Sequence, residues 1–207
     1  MGKSNLDKIR EIFENRRPGA VGSFKRYSVL IPLAECDGEL VILYEKRAGH
    51  LDRQPGEVCF PGGRQEPGEN SRMCAVRETM EELGLGRDDI QIISRADTLY
   101  GVRNELISCY LGSVDISKMA PASAEVEDTF TVPLKFLLEN EPEISHKDFK
   151  PEENEGLSNE KTAFLEGYNW MDIRYEVPIY TWKGHKIWGL TGRITHDFIK
   201  ILKGEKK

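Results

Sequence analysis

The chain has 207 residues, with 35 acidic and 29 basic side chains and a formal net charge of −6. That length suits one domain with a sizeable core, with or without decorated termini, and the mildly acidic balance excludes a broad nucleic-acid surface or a polybasic membrane surface while leaving room for local phosphate pockets. No apolar run approaches a membrane span, and the four scattered cysteines (Cys36, Cys59, Cys74, Cys109) form no CxxC pair. Without a signal peptide they read as reduced thiols of a cytoplasmic protein. None of His50, His146, His185 and His196 sits in a familiar nucleophile context, which counts against a catalytic cysteine.

Ser4 is placed to cap a first helix over residues 5–17, which Pro18-Gly19 stops. Leu6, Ile9, Ile12 and Phe13 give that helix one apolar stripe, expected to pack on the domain, with a homodimer contact as the other reading. Residues 1–25 thus form an N-terminal helix and lead-in, and residues 26–207 the domain proper. Residues 27–34 and 40–46 read as strands joined at Asp37-Gly38, a strong hairpin signal. A loop over 47–55 leads into a short strand, residues 56–60, which delivers the chain to Gly62-Gly63.

The richest stretch follows. Residues 70–83 read as one helix, with Asn70 or Ser71 as its cap and Gly84 where a left-handed residue commonly ends a helix. Met73, Val76, Met80 and Leu83 fall on one side, and Glu78, Glu81 and Glu82, spaced i, i+3, i+4, on a face roughly opposite. Three adjacent carboxylates repel each other and sit at the unfavourable end of the helix dipole. Water on an acidic face relieves this, and so does a hard divalent cation, Mg²⁺ or Mn²⁺. The loop before the helix favours the cation. Phe60-Pro61-Gly62-Gly63 and Glu66-Pro67-Gly68-Glu69 are rigid and glycine-rich, so a Gly62 or Gly63 carbonyl can join the coordination sphere. Arg77 can fork onto a carboxylate such as Glu69 and fix the loop against the helix.

Beyond the helix, residues 90–98 and 106–114 read as strands, with Arg103-Asn104-Glu105 between them either an ordinary polar turn or part of a site mouth. Residues 119–128 are expected as a loop, 129–132 as a strand and 133–138 as a short helix. Residues 139–160 are polar and Pro-rich, the signature of an exposed insertion. Residues 176–181 and 185–188 suggest a hairpin turning at Lys183-Gly184, followed by a final helix through residue 202. Trp188 reads as a core anchor ahead of a base-stacking platform.

Gly63, Glu69, Arg77-Glu78, Glu81-Glu82 and Gly84-Leu85 resemble, at their spacing, the Nudix box of Nudix hydrolases, and only Thr79 departs, where an aliphatic residue is usual. Leu43-x-x-x-Arg47-x-x-x-Leu51 and Gly56-x-Val58-x-Phe60-Pro61-Gly62-Gly63 resemble the extra motif of the coenzyme A pyrophosphatase branch, which usually reads close to LLTxRSxxLxxHxGQVxFPGG. Tyr44, Glu45, Ala48, Gln54 and Glu57 replace its second Leu and its Thr, Ser, His and Gln. The segment from Trp188 to Ile194 is also similar to that branch. The resemblance implies an α/β/α sandwich with a mixed β-sheet and hydrolysis of the diphosphate bond of a nucleoside diphosphate derivative, with coenzyme A giving 3′-phospho-ADP and phosphopantetheine as the leading substrate. ADP-ribose or a dinucleotide is the alternative substrate, and a non-catalytic nucleotide sensor the alternative role. It also implies Mg²⁺ or Mn²⁺ on Glu78, Glu81 and Glu82 with a carbonyl of Gly62 or Gly63, supported by Arg77. Glu125 or Glu127 resembles a loop glutamate that adds a metal ligand or general base in many relatives. Arg47, Arg53 and Arg64, with Arg26, are candidates to bind substrate phosphate. The expected partner is a small nucleotide, with no nucleic acid and no membrane.

Overall fold

The computed structural model describes residues 4–16, 18–121, 124–149 and 171–206. The apolar run after residue 24 forms β1 (Lys25–Cys36), and Asp37 and Gly38, with φ of 51° and 78°, turn it into β2 (Glu39–Arg47). Positive φ at both central positions matches the twist of a two-residue hairpin, and Asp-Gly reaches it cheaply. The two strands then part. β1 pairs with β2 only over Leu33–Cys36, and its earlier residues Tyr27, Ser28 and Val29 pair instead with β4 (Gly62–Arg64). β2 in turn takes β3 (Val58–Cys59) beside Glu45 and Lys46. The loop-bound glycines therefore enter the sheet in the wedge between β1 and β2, and Leu30 N–H donates to the Pro61 carbonyl at 3.0 Å within it.

β6 (Glu105–Val114) runs parallel to β1, and β5 (Ile90–Gly101) is antiparallel to β6. β7 (Val126–Pro133) pairs with the outer edge of β2, and the seven strands make one mixed sheet in the order β3-β2-β1-β6-β5, with β4 on β1 and β7 on β2. Successive residues of β1 and β2 are buried on both faces, so each face needs a cover. One face packs Leu30, Val41 and Leu43 against Ala75, Val76 and Leu83 of α2 (Ser71–Leu83). The other packs Ile31, Ile42, Tyr44 and Ile107 against Ile194, Phe198 and Ile199 of α4 (Gly189–Leu202). This is the α/β/α sandwich expected from the resemblance. α3 (Leu134–Glu139) follows β7.

Several expectations are corrected. α1 (Asn5–Glu14) is capped by Ser4, whose Oγ accepts from Asp7 N–H at 3.2 Å, yet it buries no residue. Leu6, Ile9, Ile12 and Phe13 are 55–64% exposed, so the apolar stripe does not pack on the domain. Within the polar stretch 139–160, residues Glu143–Phe149 form β8, paired with β9 (Ile173–Trp182), and β10 (His185–Ile187) completes a three-stranded sheet. Every residue of β8 is exposed, so no apolar alternation betrays a strand held by backbone pairing. Residues 150–160 of that stretch lie outside the described residues. Trp188 stands at the N-cap of α4 and is 44% exposed; Ile187 and Tyr180 do the anchoring instead.

Candidate active site

α2 is held at both ends as its sequence dictates. Asn70 Oδ1 accepts from Met73 N–H at 3.0 Å, Gly84 closes the helix at φ 65°, and Ser71 Oγ shares a 2.7 Å hydrogen bond with Tyr110 OH on β6. Its buried face is Cys74, Ala75, Val76, Thr79, Glu82 and Leu83, while Met73 is exposed, so the helix is turned relative to the expected stripe. Thr79 explains the turn. It is fully buried because its hydroxyl donates to the Ala75 carbonyl at 2.7 Å, leaving only its methyl to pack.

That rotation divides the three glutamates. Glu82 points inward, 4% exposed, and accepts the Gly62 N–H on Oε2 at 2.7 Å. Glu78 lies over Gly63, so close that a methyl group there would collide with its carboxylate unless that side chain moved. Glu81 stays exposed and binds Arg77 Nη1 at 3.0 Å. Arg77 is the hub of the loop. It forks onto Glu69 at 3.0 and 3.1 Å and places Nη2 2.9 Å from Glu78 Oε1. The expected Arg77–Glu69 fork is therefore present.

A fourth carboxylate joins them that sequence reasoning did not single out. Glu45 on β2 is 1% exposed, and among the described residues its carboxylate accepts only a thiol hydrogen bond from Cys59 at 3.1 Å on Oε1, with Oε2 left without a partner. The signal lay in its setting, a charged residue following the buried apolar run from Val41 to Tyr44. Burial pushes the pKa of Glu45, Glu78 and Glu82 up; the charge of Glu45 pushes Glu82 further, those of Glu125 and Glu78 push Glu45, and Arg77 partly offsets the rise at Glu78. The Arg77 fork holds Glu69 below the usual carboxylate range. Cys59, half-buried beside Glu45, has its thiol pKa driven far up by desolvation and is no nucleophile.

The loop before β7 separates its two glutamates. Glu127 is engaged by Lys46 Nζ at 2.5 Å, whereas the charge of Glu125 acts on Glu45, Glu78 and Glu82. On the outer side of Glu78 opens a cleft of about 1210 Å³, lined by Phe24, Lys25, Arg26, Arg64 and Arg103 among others. None of its four cations has a salt-bridge partner among the described residues. Arg103 thus lines the cleft. Of the other proposed phosphate binders, Arg64 faces the cleft, while Arg47 and Arg53 do not line it and Arg47 Nε donates to the Arg53 carbonyl at 3.3 Å.

The donor set suits a hard divalent cation. It is all oxygen, it is short of counter-charge, and one buried carboxylate oxygen is orphaned. As the side chains stand, no three acidic, histidine or cysteine groups among the described residues are gathered tightly enough to hold an ion. Arg77 occupies Glu78 and Glu81 in their place.

Residues 24–155 match the NUDIX domain model, which places the box helix, the wedge loop and the sheet in one family unit. The chain belongs to the Nudix family, and it is a Nudix hydrolase. It is 29% identical over 181 residues to Nudix hydrolase 3 of Caenorhabditis elegans, covering 84% of this chain and 72% of that one. It is 31% identical over 180 residues to the human mitochondrial coenzyme A diphosphatase NUDT8, covering 84% of this chain and 68% of the relative. With the mouse peroxisomal coenzyme A diphosphatase NUDT7 it shares 35% identity over 118 residues, 56% of this chain and 50% of the relative.

Proposed function

We propose that this hydrolase uses Mg²⁺ or Mn²⁺ to cleave the diphosphate bond of coenzyme A or a derivative, giving 3′-phospho-ADP and a phosphopantetheine. The observation that carries the substrate reading is the cleft beside Glu78, where Lys25, Arg26, Arg64 and Arg103, none in a salt bridge among the described residues, share the lining with Glu66 and Glu69. A diphosphate with a further phosphomonoester needs such a surface, because a guanidinium forks onto phosphate oxygens. The names of the human and mouse relatives support the same substrate.

Glu78 and Glu82, with Glu81 and a Gly62 or Gly63 carbonyl, would hold the cation. A cation bound there supplies counter-charge to the diphosphate, polarises phosphoryl oxygens and lowers the pKa of a bound water. The chain does the rest by positioning. Gly62 N–H fixes the Glu82 carboxylate, and Arg77 clamps the Glu69 loop to α2. The cleft cations hold the substrate so that water attacks phosphorus in line with the bridging oxygen. The phosphorus–bridging oxygen bond breaks, the leaving phosphate takes its electron pair, and a carboxylate, Glu78 or Glu125, receives the water proton.

The test is the ratio of kcat/KM on coenzyme A to that on dephospho-coenzyme A, in wild type and in Arg64→Ala and Arg103→Ala. A ratio well above one that collapses in the variants supports the reading. A flat ratio with good turnover of ADP-ribose or a dinucleotide would transfer the site to another nucleoside diphosphate derivative.

A further inference from the structure

We propose that Glu45 is a further carboxylate of the cation site, contributed by β2 opposite the α2 carboxylates Glu78 and Glu82. The inference rests on the cation dependence proposed above and adds a residue at the position where the related branch motif carries threonine.

Glu45 ends a run of apolar side chains, Val41 to Tyr44, that are at most 3% exposed, and it is itself 1% exposed. Its cross-strand neighbours are Cys59 on β3 and Thr129 on β7, and neither supplies a charge. Among the described residues the one hydrogen bond to its carboxylate comes from a thiol, a weak donor, and Oε2 has none. The charge of Arg47 acts on Glu45, but no hydrogen bond joins the two side chains among the described residues; Arg47 Nε donates to the Arg53 carbonyl at 3.3 Å. The other charges that act on it, those of Glu125 and Glu78, are negative, and its own charge acts on Glu82.

A buried structural carboxylate is normally hydrogen-bonded on both oxygens or paired with a cation, because desolvation is otherwise uncompensated. Threonine or an apolar residue would fill the same place on β2 without that cost. The register explains why the free oxygen belongs to the site. Glu45 pairs with Cys59, and three residues on, Gly62 N–H holds Glu82. The same short segment thereby brings the sheet carboxylate and the helix carboxylate together. A divalent ion among them satisfies Oε2 and offsets the mutual repulsion of all the carboxylates.

The experiment is Mn²⁺ binding by calorimetry and by electron paramagnetic resonance on the purified chain, in wild type, Glu45→Gln and Glu45→Thr, with the melting temperature of each metal-free protein. The expected result is an affinity for Mn²⁺ weakened about tenfold or more in both variants, with a metal-free melting temperature that holds or rises because an unpartnered carboxylate is gone. Unchanged Mn²⁺ affinity in either folded variant overturns the assignment of Glu45 and leaves the cation reading standing. Wild type that fails to bind Mn²⁺ or Mg²⁺ overturns both. A lowered metal-free melting temperature with unchanged affinity would make Glu45 a structural residue.

Discussion

Arg77→Lys isolates the fork that joins the loop to the helix. Lysine keeps the charge but loses the second parallel hydrogen bond to Glu69 and the reach to Glu78 and Glu81. Arg77 is 27% exposed and Glu69 10%, between the exposed pairs that contribute about 0–1 kcal/mol and the buried ones that cost about 3–5 kcal/mol to break. Arg77→Ala should therefore cost about 2–3 kcal/mol and Arg77→Lys about 1–2 kcal/mol. At about 2–4 °C per kcal/mol for a domain of this size, the lysine variant melts about 2–8 °C lower. Turnover should fall further than stability suggests, because the Glu69 loop also carries Gly63 and the Arg64 wall of the cleft. Calorimetric melting and steady-state hydrolysis read the two effects separately. An Arg77→Lys protein that melts with wild type and turns over at its rate would refute the hub role.

Three other perturbations follow from the same geometry. Gly63→Ala drives a methyl group into the Glu78 carboxylate, a side chain that can swing away, so kcat should drop about 10²-fold with little change in metal-free melting temperature; retained activity would show that Glu78 has no fixed post. Glu125→Gln should lower turnover about 10²-fold or more, whereas Glu127→Gln, which only releases Lys46 from a partly exposed pair, should change stability by less than about 1 kcal/mol and leave kcat near wild type. The reverse ranking would reassign the loop glutamate. In the presence of chelator, burial raises the folded-state pKa of Glu45, Glu78 and Glu82 above the unfolded range, so their contribution is full at acid pH and is lost as pH rises through the folded values, about 7 for Glu45 and about 9 for Glu82. The metal-free melting temperature should accordingly decline from about pH 5 to about pH 8, less steeply in Glu82→Gln. A rise over that range, or an equal slope in the variant, would contradict it.

The elements whose cause is local were legible in the sequence. The Asp37-Gly38 hairpin, the Asn70 and Gly84 caps and the Arg77–Glu69 fork each follow from a residue and its spacing, and each is present. What tertiary context decides was not legible. Thr79 reads as polar yet is buried once its hydroxyl returns to Ala75, and that moves Glu82 from the expected acidic face into the core. β8 has no buried face to give it a pattern. α1 has the stripe of a packing helix yet buries no residue. Glu45 looked like a mere departure from a motif, because its orphaned oxygen and its closeness to Glu82 arise only when β3 enters the wedge between β1 and β2. Arg47 and Arg53 lie near the box in sequence, yet neither lines the cleft beside Glu78. The cations that do share a cleft with Glu78, Lys25, Arg26, Arg64 and Arg103, come from β1, β4 and the β5–β6 turn.

The central claim is tested most directly by hydrolysis of coenzyme A beside ADP-ribose, NADH and a diadenosine polyphosphate with Mg²⁺ or Mn²⁺, products resolved by chromatography, in wild type and Glu82→Gln. The account predicts 3′-phospho-ADP and phosphopantetheine as the fastest products of the wild type, and almost no turnover by a Glu82→Gln protein that is still folded. Near-normal turnover by that folded variant, or hydrolysis by the wild type that persists undiminished under chelation, would contradict it.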